Sequence, residues 1–525
     1  MKNDETYENM SPFEFKNILL AIAEQSKQDQ KHPVLNAGRG NPNFLNTTVR
    51  DAFSYLLHFM SHLSGKASKH KHLGLRPEIS GIAKKLETYL QEKHEGEGAD
   101  FLAKAIHFAE AHFHLVPDDF IFELGDSALG SFYPSPPRIF PNEEKILNAY
   151  LYRILGNNHK NQWFDLFATE GATMAMVYIF NTLKINHLLK PKDSIAIITP
   201  IFSPYLEIPE LEEYQLHQVH IEANENTAWQ ISEKEINKLK DPQIKALFLV
   251  NPSNPPGASL SPATHERIIK LVKNHRPDLI IITDDVYATF VNDFISLAYS
   301  LPENTIGVYS YSKYFGVTGW RLGLIMIHEN NIFDRLIQAL PEEMQTTLEN
   351  RYRLDSSDPR HIKFVDRLEI DSRDVALAHT GGLSGPQQAL MCLASLFELM
   401  DENYEYKHVI HKVLKHRITL LHDNLDIELP SGPHYTHYYA LINLHKVAKI
   451  RHGETFAKHF TSTVSSYAFL IKLAEETGIV CLPGAGFAGP KNTIRVSLAN
   501  LEDKAYSTIG KSIAKMIDDY YQDGN

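Results

Sequence analysis

From Trp163 to His328, short apolar runs alternate with stretches whose apolar residues recur at helical spacing. The runs are WFDLFAT, SIAIITP, IKALFLV, LIIITDD, TIGVYS and RLGLIMI, and none alternates strictly between apolar and polar positions. Strands that are apolar at successive positions are buried on both faces, so the pattern predicts a mostly parallel central sheet wrapped by helices, an α/β fold. Helices are expected from Thr173 and over SPATHERIIKLVKNH.

Past Leu383 the pattern changes. Long helices over 403–425 and 501–521 are expected, with the strands YYALINL, IVCLPG and TIRVSLA between them, which predicts a smaller α+β lobe. Residues 11–30 also have helical spacing. A helical, His-rich stretch between Arg50 and Tyr133 and a highly charged one between Glu329 and Thr380 read as insertions outside the central sheet. The expected division is an N-terminal segment 1–50 joining the small lobe, a helical insertion 51–132, a large domain 133–380 with a charged insertion at 329–380, and a small C-terminal domain 381–525.

The 525 residues are 43% apolar and 22% charged, which suits a large buried core and excludes a disordered or collagenous chain. A net charge of −12 argues against a broad nucleic-acid surface while leaving room for a local basic pocket. Cys392 and Cys481 lie far apart among apolar neighbours, offering neither a disulfide framework nor a thiolate metal site. The polar, acidic start MKNDETYENMSPFEF and the lack of any apolar run near 18 residues point to a cytoplasmic protein with no membrane span.

The strongest chemical signal is Ser310-Tyr311-Ser312-Lys313 followed by Arg321 in TGWRLG, at the carboxyl end of an expected strand. Ligands bind at that edge of an α/β sheet. An amine there can form a Schiff base with an aldehyde, and Arg321 with the hydroxyls can receive a phosphate. A solvated loop would explain this segment if it stood alone. It does not: Asp284 and Tyr287 end LIIITDD, Asn254 lies in NPSNPPG after IKALFLV, and Glu170-Gly171-Ala172-Thr173 opens a helix after WFDLFAT. Free N–H groups and the helix dipole favour an anion at such a start. Four strand ends thus present a phosphate cradle, an amine, a carboxylate and neutral hydrogen-bonding groups.

S-x-S-K with Arg eight residues on, D-x-x-Y, N-P-x-N-P-x-G and G-A-T occur here in the order found in fold-type I pyridoxal-phosphate enzymes of the aspartate aminotransferase family, which the chain resembles from about Asn36 onward. The resemblance implies that residues 133–380 bind pyridoxal 5'-phosphate. In it Lys313 holds the cofactor and moves protons, and Asp284 pairs with the ring nitrogen, with neighbouring Asp285 as the alternative if the register shifts by one. It further implies that Asn254 and Tyr287 bond the phenolic oxygen and that Phe202 stacks on the ring. Gly171, Ala172, Thr173, Ser310, Ser312 and Arg321 would hold the phosphate, and Arg495 in TIRVSLAN would grip the substrate α-carboxylate. Tyr133 resembles the tyrosine that reaches a neighbouring subunit's phosphate, which implies a homodimer or a larger assembly of dimers.

The added length and the segments LNAGRGNPNFLNTT, FYPSPPR, IPELEEY and YSKYFGVTGWRLG are similar to the aspartate 4-decarboxylase family, which is bifunctional with aspartate aminotransferase activity. That similarity implies β-decarboxylation of L-aspartate to alanine and CO₂, with transamination to 2-oxoglutarate from a shared intermediate. Arg39 is the candidate for positioning the β-carboxylate, and Gly40 leaves room beside the substrate. A plain aminotransferase is the nearest alternative, and a non-catalytic cofactor-binding regulator a remote one.

Two further patterns lead elsewhere. Gly484, Gly486 and Gly489 spell G-x-G-x-x-G, but Pro490-Lys491-Asn492 follows and no βαβ unit encloses them, which argues against a dinucleotide site; the resemblance implies a turn of the small lobe there instead. His70, His72, His107, His112 and His114 lack metal-site spacing, and no metal is expected.

Overall fold

The computed structural model describes residues 7–8, 10–30, 33–93, 96–156, 162–373 and 382–523. A short strand β1 (Leu35–Asn36) precedes the strands of the main sheet: β2 (Phe164–Thr169), β3 (Ser194–Thr199), β4 (His217–Glu222), β5 (Ile244–Val250), β6 (Ile280–Asp284), β7 (Thr305–Ser310) and β8 (Gly323–His328). They pair in the order β2-β8-β7-β6-β5-β3-β4, with β8 antiparallel to both neighbours and every other pair parallel. This is the expected α/β architecture.

Successive residues explain why these strands lack alternation. Ala246 and Phe248 of β5 join one apolar core with Ile195, Ile197 and Ile282, while Leu247 and Leu249 join another with Ala196, Ile198 and Ile281. Both faces are dry, so both need apolar side chains. The strand β4 escaped the sequence reading for the opposite reason. It is the edge strand HQVHIE, and Ile221 alone of its six residues is buried.

Helix Ala172–Ile185 follows β2, and helix Pro262–His275 links β5 to β6. The latter starts where Ser261 Oγ accepts the Thr264 N–H, with Pro262 supplying the preset φ of a first helical position. The expected helices over 403–425 and 501–521 run Glu405–Asp423 and Asp503–Asp523 and pack together.

In the C-terminal part, β9 (Tyr439–Asn443), β10 (Ile479–Val480), β11 (Leu482–Pro483) and β12 (Thr493–Ser497) split into two sheets. The order β11-β12-β9 is antiparallel, whereas β10 pairs in parallel with β1. The run IVCLPG is therefore two strands that change partner at Cys481. Helix Pro12–Gln30 packs on helix Ser466–Thr477, with the rings of Phe15 and Tyr467 5.0 Å apart. The G-x-G-x-x-G run forms a 3₁₀ turn, Gly484–Phe487, as a small-lobe turn should.

The His-rich stretch folds into helices Thr47–Lys66, Ile82–Lys93, Glu97–Phe113 and Pro117–Leu129. Thr47–Lys66 and Pro117–Leu129 pack on the largely buried helix Gly385–Met400. The charged stretch forms helices Ile332–Gln338, Glu342–Tyr352 and Phe364–Asp371, and two of its buried charged side chains, Asp371 and Arg367, are hydrogen-bonded. Arg351 donates to Asp371 at 3.0 Å, and Arg367 Nη1 reaches Asn186 Oδ1 at 3.0 Å. No helix among the described residues is long and apolar enough to cross a membrane.

Candidate active site

The carboxyl ends of β5, β6 and β7 open into a cleft whose far wall is built by β9, β12 and the segment around Gly40. Lys313 lies three residues beyond β7, in a turn anchored from behind: Tyr311 bonds Ser395 Oγ at 2.8 Å, and the Tyr314 hydroxyl donates to Glu398 Oε2 at 2.9 Å. Lys313 Nζ donates to the Gly40 carbonyl at 3.1 Å. Desolvation lowers its pKa, and nearby Arg495 and Arg321 lower it further. An amine in that setting keeps more of its neutral, nucleophilic form than a surface lysine.

Asp284 ends β6 and faces the cleft. Its Oδ2 accepts the Tyr205 hydroxyl at 2.7 Å and its Oδ1 the Val286 N–H at 3.1 Å. Burial raises its pKa to about 6, against the lowering by those two donors and by Lys313. Side chains alternate along a strand, so Asp285 faces the other way. It is bonded by Thr283 Oγ1 at 2.8 Å and by Ser296, and burial pushes its pKa to about 7. Of the two carboxyls, Asp284 is the one that borders the cleft.

At one end of the cleft the donors suit a phosphate. Helix Ala172–Ile185 has no side-chain cap, and Ala172 and Thr173 line the cleft at its start. Gly171 has φ 85°, and a Cβ there would sit 2.6 Å from Arg321 Nη2, so the backbone approaches the guanidinium as only glycine permits. Arg321 donates to the carbonyls of Thr318 at 2.9 Å and Glu170 at 3.1 Å. Ser310 Oγ and Ser312 Oγ are 2.9 Å apart beside it. Uncapped amides, two hydroxyls and a guanidinium form a donor set for a dianion. Phe202 borders the cleft, its ring 5.2 Å from Tyr205 and 5.7 Å from Phe13.

At the other end Arg495, from β12, is 1% exposed. Its guanidinium lies between the rings of Tyr439 at 4.6 Å and Phe487 at 4.8 Å. Nη1 donates to Asn254 Oδ1 at 3.2 Å and Nη2 to the Gly38 carbonyl at 2.8 Å, while Nε is buried without a bond partner. Unused donor capacity on a buried cation suits an incoming carboxylate. The Tyr287 hydroxyl is 3.0 Å from that of Tyr439, and the Tyr438 hydroxyl donates to the Gly40 carbonyl at 2.8 Å.

Lys313, Ala172, Thr173, Phe202, Asn254, Asp284, Tyr287, Ser310, Ser312, Arg321, Gly40 and Arg495 thus border one cavity, and Gly171 abuts it behind Arg321. Two expected residues stand apart. Tyr133 is 63% exposed and does not line the cavity, and the exposed Arg39 only precedes Gly40. Phe13, Tyr205 and Tyr439 line it without having been foreseen. Tyr205 had a faint signal, one helical turn after Phe202. Phe13 and Tyr439 had none, because an aromatic in an amphipathic helix or at a strand start reads as core.

Residues 165–513 match the family described as aminotransferase class I and II. Among curated proteins, the chain is 43% identical over 517 residues to a bifunctional aspartate aminotransferase and L-aspartate beta-decarboxylase of a Pseudomonas species, covering 98% of this chain and 97% of that one. An aspartate aminotransferase of Pyrococcus abyssi is 32% identical over 167 residues, 31% of this chain and 40% of its own. Among solved structures, a mutant Thermus thermophilus aspartate aminotransferase superposes with a TM-score of 0.60 at 16% identity, covering 96% of each chain, a likeness of fold. The match spans most of the chain and takes in the strand ends that build the cleft, so the chain belongs to the class I and II aminotransferases, a family of pyridoxal 5'-phosphate enzymes.

Proposed function

We propose that the chain converts L-aspartate to L-alanine and CO₂ by β-decarboxylation, and that it transaminates aspartate with 2-oxoglutarate through a shared intermediate. The observation that carries this reading is the 43% identity extending over 98% of the chain, insertions included, to a relative named for both activities. The donor set of the cleft fits the cofactor, from uncapped amides and Arg321 at one end to Asp284 in the middle.

When bound, pyridoxal 5'-phosphate supplies an aldehyde for an amine to capture and a ring that takes up electrons from the substrate. Gly171, Ala172, Thr173, Ser310, Ser312 and Arg321 receive its phosphate, Phe202 covers the ring, and Asn254 and Tyr287 bond its phenolic oxygen. Asp284, held as an anion by Tyr205 and Val286, keeps the ring nitrogen protonated. Lys313 Nζ takes the Cα proton, a role its lowered pKa favours near neutrality. Arg495 fixes the α-carboxylate by a two-pronged bond.

Positive charge for a second carboxylate lies near Arg495: burial pushes the Lys16 ammonium below its ordinary pKa, and the charges of Arg39 and Arg495 push it further. Arg39 orients the β-carboxylate for departure, and Gly40 leaves it space. Tyr133, exposed on the single chain, completes the phosphate site of a second copy in a homodimer or larger assembly. Two buried free thiols, Cys392 and Cys481, suit the reducing cytoplasm.

The test is incubation of the purified holoenzyme with L-aspartate, with and without 2-oxoglutarate. Alanine and CO₂ in stoichiometric yield without an added keto acid support the reading. Oxaloacetate and glutamate alone would make the chain a plain aspartate aminotransferase.

A further inference from the structure

Alanine formation needs an acid that transamination does not. When the β-carboxylate leaves, the bond between it and Cβ breaks heterolytically: CO₂ would depart without the electron pair, which the bound cofactor would supply the means to take up. Those electrons then return to form a C–H bond, and Cβ must receive a proton. The net change from aspartate to alanine and CO₂ consumes one proton, finally drawn from water.

Few groups are placed to deliver it. Among the described residues lining the cleft, the titratable side chains other than Arg321 and Arg495, which stay protonated, are Lys313, Asp284, Tyr205, Tyr287 and Tyr439. Asp284 and Tyr205 are bonded to one another at the ring-nitrogen position, Tyr287 is committed to the phenolic oxygen and Lys313 to Cα. Tyr439 remains. Its hydroxyl shares a neighbour with Lys313: a Cβ built on Gly40 would collide with it and would sit 3.4 Å from Lys313 Nζ, the group assigned to the Cα proton. The surroundings suit a donor: Tyr287 gives its one proton to the phenolic oxygen, so its own oxygen, 3.0 Å away, can accept from Tyr439 at rest and hold that hydroxyl with its proton in the cleft. Arg495 faces the ring at 4.6 Å, placing a positive charge beside the phenolate formed.

We propose that Tyr439 is the acid that protonates Cβ after CO₂ leaves, which makes it a catalytic residue of the alanine branch. This rests on the decarboxylase reading above. The phenolate regains its proton from water as alanine is released.

The test uses Tyr439→Phe holoenzyme, with the absorbance and stoichiometry of bound cofactor as the check that the site is intact. Aspartate carrying tritium stereospecifically at C3 is converted in heavy water, so that the alanine methyl group holds three hydrogen isotopes and its handedness reports the face of protonation. Wild type gives methyl groups of one handedness. In the variant the ratio of alanine to oxaloacetate is expected to fall about a hundredfold, the lower end for loss of a general acid, and the methyl handedness to be lost because water protonates either face. A variant with the wild-type ratio, or one whose methyl groups keep a single handedness, overturns the assignment. Wild-type enzyme that makes no alanine from aspartate refutes the decarboxylase reading itself, a result separable from the other two.

Discussion

Tyr205→Phe removes one oxygen atom and tests how Asp284 is kept charged. In the native cleft Asp284 accepts two hydrogen bonds, from Tyr205 at 2.7 Å and from the Val286 N–H at 3.1 Å, against a burial that lifts its pKa to about 6. A hydrogen bond to a charged group contributes about 1.5–3 kcal/mol, and one pKa unit corresponds to about 1.4 kcal/mol, so losing Tyr205 should raise the carboxyl by about one to two units. The anion is the working form, since it holds the ring nitrogen protonated. The sign follows: the acid limb of the pH profile moves upward, activity is lost first at low pH, and the alkaline plateau is largely kept. The measurement is kcat/KM for aspartate from about pH 5 to 9, which reports ionisations of the free enzyme. If Tyr205 served packing alone, the whole profile would drop without moving. A limb that stays within a few tenths of a unit of wild type, in a variant that retains cofactor, refutes this account of Asp284.

Lys313→Ala should abolish turnover while the cofactor is still bound through its phosphate, as an absorbance titration of the variant would show; turnover above a few per cent of wild type without added amine contradicts the assignment. Gly171→Ala places a Cβ 2.6 Å from Arg321 Nη2 at a φ of 85°, so cofactor affinity should fall at least about tenfold, measured by equilibrium dialysis against pyridoxal 5'-phosphate. In cofactor-free protein, Asp284 and Asp285 have folded pKa values raised to about 6 and about 7, so the stability they contribute is complete below the ordinary carboxyl value of 3.8 and is lost as pH rises through 6 and 7. Asp284→Asn should flatten that decline in thermal midpoint, and an unchanged slope would count against it.

The cofactor end of the cleft was legible because it follows from one rule applied several times. Stretches such as ALFLV and LIII are apolar at successive positions since both faces of the sheet are covered, and the first polar residues after them fall at or near the ligand-binding edge. Asn254, Asp284 and Lys313 were therefore readable as a group. The strand β4 was not, because an edge strand with its side chains half in water has the composition of a loop. Tyr205 was hidden by a related ambiguity: an aromatic that bonds a buried carboxylate and one that merely fills space have the same sequence signature.

The substrate end was harder to read because it is assembled across the whole length of the chain. Gly40 meets Lys313 across 273 positions and Tyr438 across 398, and Gly38 meets Arg495 across 457. What brings these together is strand pairing that carries no local signal, two residues of β1 on two of β10. Through that pairing and the packing of Phe15 on Tyr467, the segment bearing Phe13, Lys16 and Gly40 is joined to the lobe that bears Tyr439 and Arg495. Asp284, Ser310 and Arg321, by contrast, are fixed by the main sheet and the turns at its edge. The cleft thus has a cofactor wall and a substrate wall with separate foundations. Core substitutions near Ile479 or Tyr467 should act first on aspartate recognition, and those in β6 or β7 on cofactor retention, although both sets lie outside the cleft.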